Sequence, residues 1–253
     1  MIRRLVDSAI FHGTRVVAPL FFAGPRVFVR GAYASFTFDD FPRSARTRGA
    51  RLLEERGALG TFYVSMRLLT DAPTDHEGFS TDDLRELARR GHELGCHTHT
   101  HLDCFPARDG RILRDVASNA EAVARLLPGT ALRQFAFPYG RLRPSHKRLL
   151  GTRFTTLRTI FPGVHRGETD LRLLRANKLF STGSLVRRAR ELIDDVAARG
   201  GWVIFFTHDV ASAPSAYGVR PRDLDEAVAH ARRRGLEILP VGQVVSRLAR
   251  TLA

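Results

Sequence analysis

Asp39 and Asp40 stand side by side at the end of the apolar run 33–38. Adjacent carboxylates repel each other unless a cation lies between them or one carries a proton. Alone, they read equally well as a solvated turn in which one of them caps the next helix. His97, His99 and His101, three imidazoles in five residues, change that weighting. Imidazole with carboxylate suits a first-row divalent ion such as zinc, iron, cobalt or nickel. Two histidines and one aspartate would leave coordination positions open for water and substrate, as a catalytic centre requires. A lone His-x-x-x-His spacing is common on protein surfaces; joined to Asp39-Asp40 it is a strong signal. Pro138-Tyr139-Gly140 and Thr207-His208-Asp209 also end apolar runs.

Such residues need a scaffold that gathers strand ends. Short β-branched or aromatic runs at 33–38, 60–64, 92–97, 134–137, 155–159, 173–179, 202–206 and 237–239 read as strands. Helical patterns at 45–56, 81–91, 111–127, 144–150, 184–199 and 221–234 lie between them, and a last helix follows Gly242. Ser80 or Thr81 is expected to open the second helix and Ser184 to cap a later one, and Pro221 suits a first helical turn. Strands that alternate with helices imply a parallel sheet with crossover helices. The run 202–206 is wholly apolar, as a strand buried on both faces must be. Seven or eight such strands closing on themselves give an α/β barrel. An open doubly wound sheet is the alternative, although its Gly-x-Gly-x-x-Gly turn is absent. In both architectures the site forms at the C-terminal strand ends, where all of these residues fall.

Four motifs occur in a telling order: Phe38-Asp39-Asp40, His97-Thr98-x-x-His101, Phe135-x-x-Pro138-Tyr139-Gly140 and Phe206-Thr207-His208. Together they resemble the polysaccharide deacetylases, the NodB-homology domains of carbohydrate esterase family 4, over about residues 33–239. The resemblance implies a single deformed (β/α) barrel that uses a bound metal to remove N- or O-acyl groups from sugars. It also implies that Asp40, His97 and His101 are metal ligands, with zinc the expected ion and cobalt, nickel or iron as alternatives. Asp39 would be the general base and His208 the general acid, while Tyr139 would offer its backbone N–H to the oxyanion. The expected reaction is removal of an N-acetyl group from an amino sugar in a polysaccharide, oligosaccharide or lipid-linked glycan. A catalytically impaired, glycan-binding barrel is the alternative. Two departures stand out. Family members often carry an arginine where this chain has Ala136, which leaves Asp39 without its usual partner; Arg158 is a candidate replacement. Phe41 stands where a glycine is usual, which would set an aromatic ring at the rim. The group that orients His208 is unassigned, with Asp170 and Glu168 as candidates.

Composition bounds the remainder. The chain has 253 residues, 43% of them hydrophobic, enough to bury a core without disulfides or structural metal. Cys96 and Cys104 read as two buried thiols. No run reaches the roughly 18 apolar residues of a membrane span. The formal charge is +14, and all but two of the 40 basic residues are arginine. The arginines are dispersed and lack interleaved aromatics, which argues against nucleic acid. They fit solvated helix faces or a peripheral contact with an anionic membrane. Residues 1–30 read as an amphipathic extension, helical over 2–17, packed on the body or on a membrane surface; 31–253 read as the barrel. Without a convincing signal peptide, the expected location is the cytoplasm or the cytoplasmic membrane face.

Overall fold

The computed structural model describes residues 24–250 and, before them, Gly13 alone. The helix expected over 2–17 falls outside the described residues, Gly13 apart. Among the described residues no helix is long and apolar enough to cross a membrane.

From residue 24 the chain runs through β1 (Arg26–Val29) and then alternates: β2 (Ala32–Asp39), α1 (Arg51–Glu55), β3 (Thr61–Val64), α2 (Thr81–Arg89), β4 (Glu93–Cys96), α3 (Asp109–Leu126) and β5 (Gln134–Ala136). After these come α4 (His146–Gly151), β6 (Thr156–Arg158), β7 (Gly167–Asp170), β8 (Asn177–Lys178), α5 (Leu185–Arg199), β9 (Gly201–Thr207), α6 (Pro221–Arg233), β10 (Glu237–Ile238) and α7 (Val241–Arg250). The main sheet has eight strands, ordered β6-β5-β4-β3-β2-β9-β8, with β10 paired to the start of β2. Every pairing in it is parallel. A single parallel bridge, Arg158 to Leu174, brings the two ends of the sheet together. Thr159 N–H donates to Leu174 O at 2.8 Å and Leu179 N–H to Phe206 O at 2.9 Å, so the segment 174–179 spans the gap between β6 and β9. This is the deformed barrel that the motifs imply.

Alternation along the strands divides the interior. Phe36, Phe38, Phe62, Val64, Leu94, Phe135, Val203 and Phe205 face the helices in one large apolar cluster. The intervening residues face inward. Near the closed end they are polar and mutually bonded: Thr61 Oγ1 donates to Glu93 at 2.8 Å and Thr156 Oγ1 to Gln134 Oε1 at 2.6 Å. The first N–H groups of α7 complete that cluster, Val241 to Thr61 and Gly242 to Glu93. Gly95 is required by a close approach, since a Cβ there would lie 2.5 Å from the Tyr63 ring. β9 contributes to both faces, with Trp202, Ile204 and Phe206 in a second, smaller cluster. That explains its unbroken apolarity.

Several details depart from the sequence reading. β1 and β7 form a separate antiparallel pair that hydrophobic patterning missed. Both are short, and β7 is the polar run Gly-Glu-Thr-Asp, which gives no alternation to detect. The first helix opens with a π-helical stretch, Ala45–Ala50. Ser80 forms a full capping box with Asp83, whereas Ser184 makes no side-chain cap bond. Phe41 is buried rather than at the rim: it stacks on Phe79 at 4.5 Å and meets Phe62 edge-on at 5.6 Å. Apolar partners below the surface outcompete solvent for that ring.

Candidate metal centre and cleft

Asp40, His97 and His101 converge. Each offers one ligand atom, and these atoms lie within 4.8 Å of one another. His97 follows β4 directly and is held by its backbone, since its N–H donates to Val64 O and Ser65 Oγ donates to its carbonyl. Its ring Nδ1 lies 2.8 Å from Ala136 O. That contact makes Nδ1 the protonated nitrogen and leaves Nε2 free to bind a metal. His101 Nε2 lies 3.1 Å from Asp40 Oδ2, and its Nδ1 lies 3.1 Å from the Tyr139 hydroxyl. Asp40 Oδ1 is buried with no hydrogen-bond partner. A buried carboxylate oxygen left bare beside two unprotonated imidazoles is what a divalent cation would satisfy, so these residues fit such an ion.

Electrostatics agree. Burial, with Asp39 close by, pushes the Asp40 carboxyl up to about 7. Burial pushes the His97 imidazole down to about 3, and it lowers His101 as well. The histidines are therefore kept in the neutral form that binds metal.

The ligand loop is built under strain. Among the described residues only Asp40, Thr98, His101 and Tyr139 are non-glycine residues at positive φ, between 50° and 61°. All four border the cleft or its ligand loop, and such conformations persist only where surrounding bonds overdetermine them. Those bonds are visible. Thr98 Oγ1 accepts from Leu102 N–H at 2.7 Å. Asp115 on α3 accepts from His99 N–H at 2.6 Å and from Thr100 N–H at 3.0 Å. His99 is turned away from the ligand cluster by that anchoring.

Asp39 is buried and lies on the inward face of β2. Arg158 reaches it across the barrel, its Nη2 2.6 Å from both carboxylate oxygens. The Arg158 guanidinium is fully buried and lies over the rings of Tyr63 and Phe206. Burial alone would raise the Asp39 pKa, but Arg158, His97 and His208 together hold it below the ordinary carboxylate range. Arg158 thus supplies the partner for Asp39 that Ala136 cannot.

His208 lines the same cleft. Burial lowers its pKa, while Asp39 works in the opposite direction. Its Nδ1 is buried without a partner. Neither expected orienting group serves it: Glu168 pairs with Arg26, and Asp170 lies 2.6 Å from the Lys147 ammonium. Both sit on β7, outside the main sheet, and are already committed. The neighbouring Asp209 instead organises the loop after β9, accepting from Ser215 N–H and Oγ and facing His76 Nδ1 at 3.0 Å.

Tyr139 sits at φ 59° in a tight turn, Pro138–Gly140, and the residue is 57% exposed. The cleft has a volume of about 370 Å³, and its other walls include Ile160, Lys178, Phe180 and Tyr217. Sequence reasoning missed these four. Lys178 alone left a signal, as one of two lysines and near the end of an expected strand.

Residues 29–152 match the family described as polysaccharide deacetylase. The fold resembles the chitin deacetylase of the fungal pathogen Colletotrichum lindemuthianum at TM-score 0.61 and 17% identity, covering 86% of this chain and 89% of that one. A family 4 acetyl xylan esterase from Clostridium thermocellum, solved with a cobalt ion, superposes at TM-score 0.61 and 21% identity, covering 85% and 90%. A mutant of a CE4-family pseudoenzyme superposes at 0.57 and 13% identity, covering 87% and 69%. The matched segment carries the first three motifs of a polysaccharide deacetylase, and the barrel of this chain is the one these proteins share.

Proposed function

We propose that the protein is a metal-dependent deacylase that removes an N-acyl group, an acetyl in the first instance, from an amino sugar of a glycan. The observation that carries this reading is the convergence of Asp40, His97 and His101 beside an Arg158-paired Asp39 and within the same cleft as His208.

The roles follow from the chemistry. Amide hydrolysis needs an activated water, a polarised carbonyl and a protonated leaving nitrogen. A divalent ion held by Asp40, His97 and His101, zinc or one of its first-row neighbours, would supply Lewis acidity for the first two. Asp39 is kept ionised by Arg158 and takes the proton of the attacking water. Tyr139 presents its backbone N–H to the developing oxyanion, a contribution of about 3 kcal/mol at comparable sites. His208 returns a proton to the sugar nitrogen as the C–N bond breaks.

Elemental analysis should find about one metal per chain in the wild type and a sharp fall in His97→Ala. Mass spectrometry of an N-acetylated glycan panel, lipid-linked sugars included, should show loss of acetyl with the loaded wild type. His208→Ala should keep its metal and lose roughly two to four decades of rate. A wild-type protein that binds metal and glycan yet releases no acyl group would instead be a binding barrel.

A further inference from the structure

Among the described residues that line the cleft, one cation has no part in this chemistry. Lys178 ends β8 in register with Phe206 of β9, beside the strand that delivers His208. Its side chain borders the cleft with His208, Phe180 and Tyr217. It is exposed and makes no ion pair among the described residues. The other lysine, Lys147, is fully buried with its ammonium 2.6 Å from Asp170. The carboxylates of the cleft have no call on Lys178, because Asp39 is paired on both oxygens with Arg158 and Asp40 faces His101.

The surroundings make this charge conspicuous. Three large hydrophobic residues are exposed among those described, and two of them, Tyr139 and Tyr217 at 57% and 61%, stand at this cleft. Tyr217 is fixed there by its own carbonyl, which accepts from His208 N–H at 3.2 Å, and by ring contacts with Phe180 and His208. Flat exposed rings suit the apolar face of a pyranose, and a few placed polar groups then set orientation and specificity. An ammonium is a compact point charge that takes carboxylate or phosphate oxygens equally well.

We propose that Lys178 is a specificity-determining receptor for an acidic group, a carboxylate or a phosphate, on the amino sugar or on the unit next to it. This rests on the deacylase reading and narrows its substrates to anionic glycans.

The test compares three N-acetylated substrates that share one sugar: neutral, carboxylated and phosphorylated. Wild type, Lys178→Met and Lys178→Arg are each assayed with all three. The wild type should favour one acidic substrate. In Lys178→Met its kcat/KM should fall about ten- to hundredfold, through KM, as expected for loss of one charge-assisted contact. The neutral substrate should stay within about twofold, and Lys178→Arg should recover most of the loss. The substrate that suffers identifies the anion. A wild type indifferent to charge, or a loss equal on all three, would overturn the proposal. Calorimetric binding of the same sugars separates the two readings when nothing is turned over. Weakening confined to an acidic sugar in Lys178→Met upholds the receptor while the deacylase reading fails, and equal affinities reject the receptor.

Discussion

At the scale of single residues, the buried pair Asp39–Arg158 is the most exposed to test. Removing one partner of a buried ion pair strands the other charge and costs about 3–5 kcal/mol, whereas removing both is often nearly neutral. Arg158→Met should therefore lower stability by about that amount in chemical denaturation and abolish turnover. Adding Asp39→Asn should restore most of the stability and none of the activity. Recovery of neither would mean that Arg158 serves the fold through its stacking on Tyr63 and Phe206 rather than through Asp39. The candidate metal ligands were legible in the sequence because Asp40, His97 and His101 occupy strand ends with a spacing that few other functions demand. Arg158 was only partly legible: it lies near the end of a predicted strand, but pairing across 119 residues depends on barrel closure, which no local pattern encodes. Tyr217 left no trace, since its position depends on the loop that Asp209 ties together. Phe41 misled for a related reason, because aromatic contacts across three segments decided its burial.

At the scale of elements, α3 determines how well the ligand loop is held. Asp115 secures the backbone of His99 and Thr100, and Asn119, one turn further along, donates to Val64 O and accepts from Met66 N–H, each at 2.9 Å. Supporting groups of this kind typically change metal affinity about 10- to 100-fold when removed. Asp115→Ala should lose metal to a competing chelator at correspondingly lower concentration, and excess metal should return its activity. Activity that stays low at saturating metal would show that the loop positions more than ligands. Patterning identified α3 itself, through its apolar face at Ile112, Val116 and Val123. It could not identify this second task, because Asp115 and Asn119 look like ordinary polar positions on a helix.

For the whole molecule, acid stability should depend on buried neutral histidines. Burial pushes His165 down to about 4. Its Nε2 accepts from Arg175 N–H at 3.0 Å, a bond that a protonated ring cannot make. Between its ordinary value of 6.5 and about 4, the unfolded chain binds the proton and the folded chain does not. Stability therefore rises with pH across that window, is complete above about 6.5, and drains away as pH falls towards 4. His165→Gln should flatten this part of a denaturation midpoint against pH; an unchanged slope would assign the acid sensitivity to other groups. Barrel closure has a further consequence, in the order in which function becomes available along the chain. The three ligand candidates lie within residues 40–101, in the consecutive units from β2 to the loop after β4, and need only neighbouring strands to meet. Arg158, Lys178 and His208 belong to later units, and Arg158 reaches Asp39 only once the segment 174–179 has brought the sheet's ends together. Long-range closures of this kind come late because loop entropy opposes them until the last contacts form. On the proposed deacylase reading, a partly folded chain would thus capture an ion before it could hydrolyse anything, so that loading would belong to assembly and reactivity would be withheld until the barrel is whole.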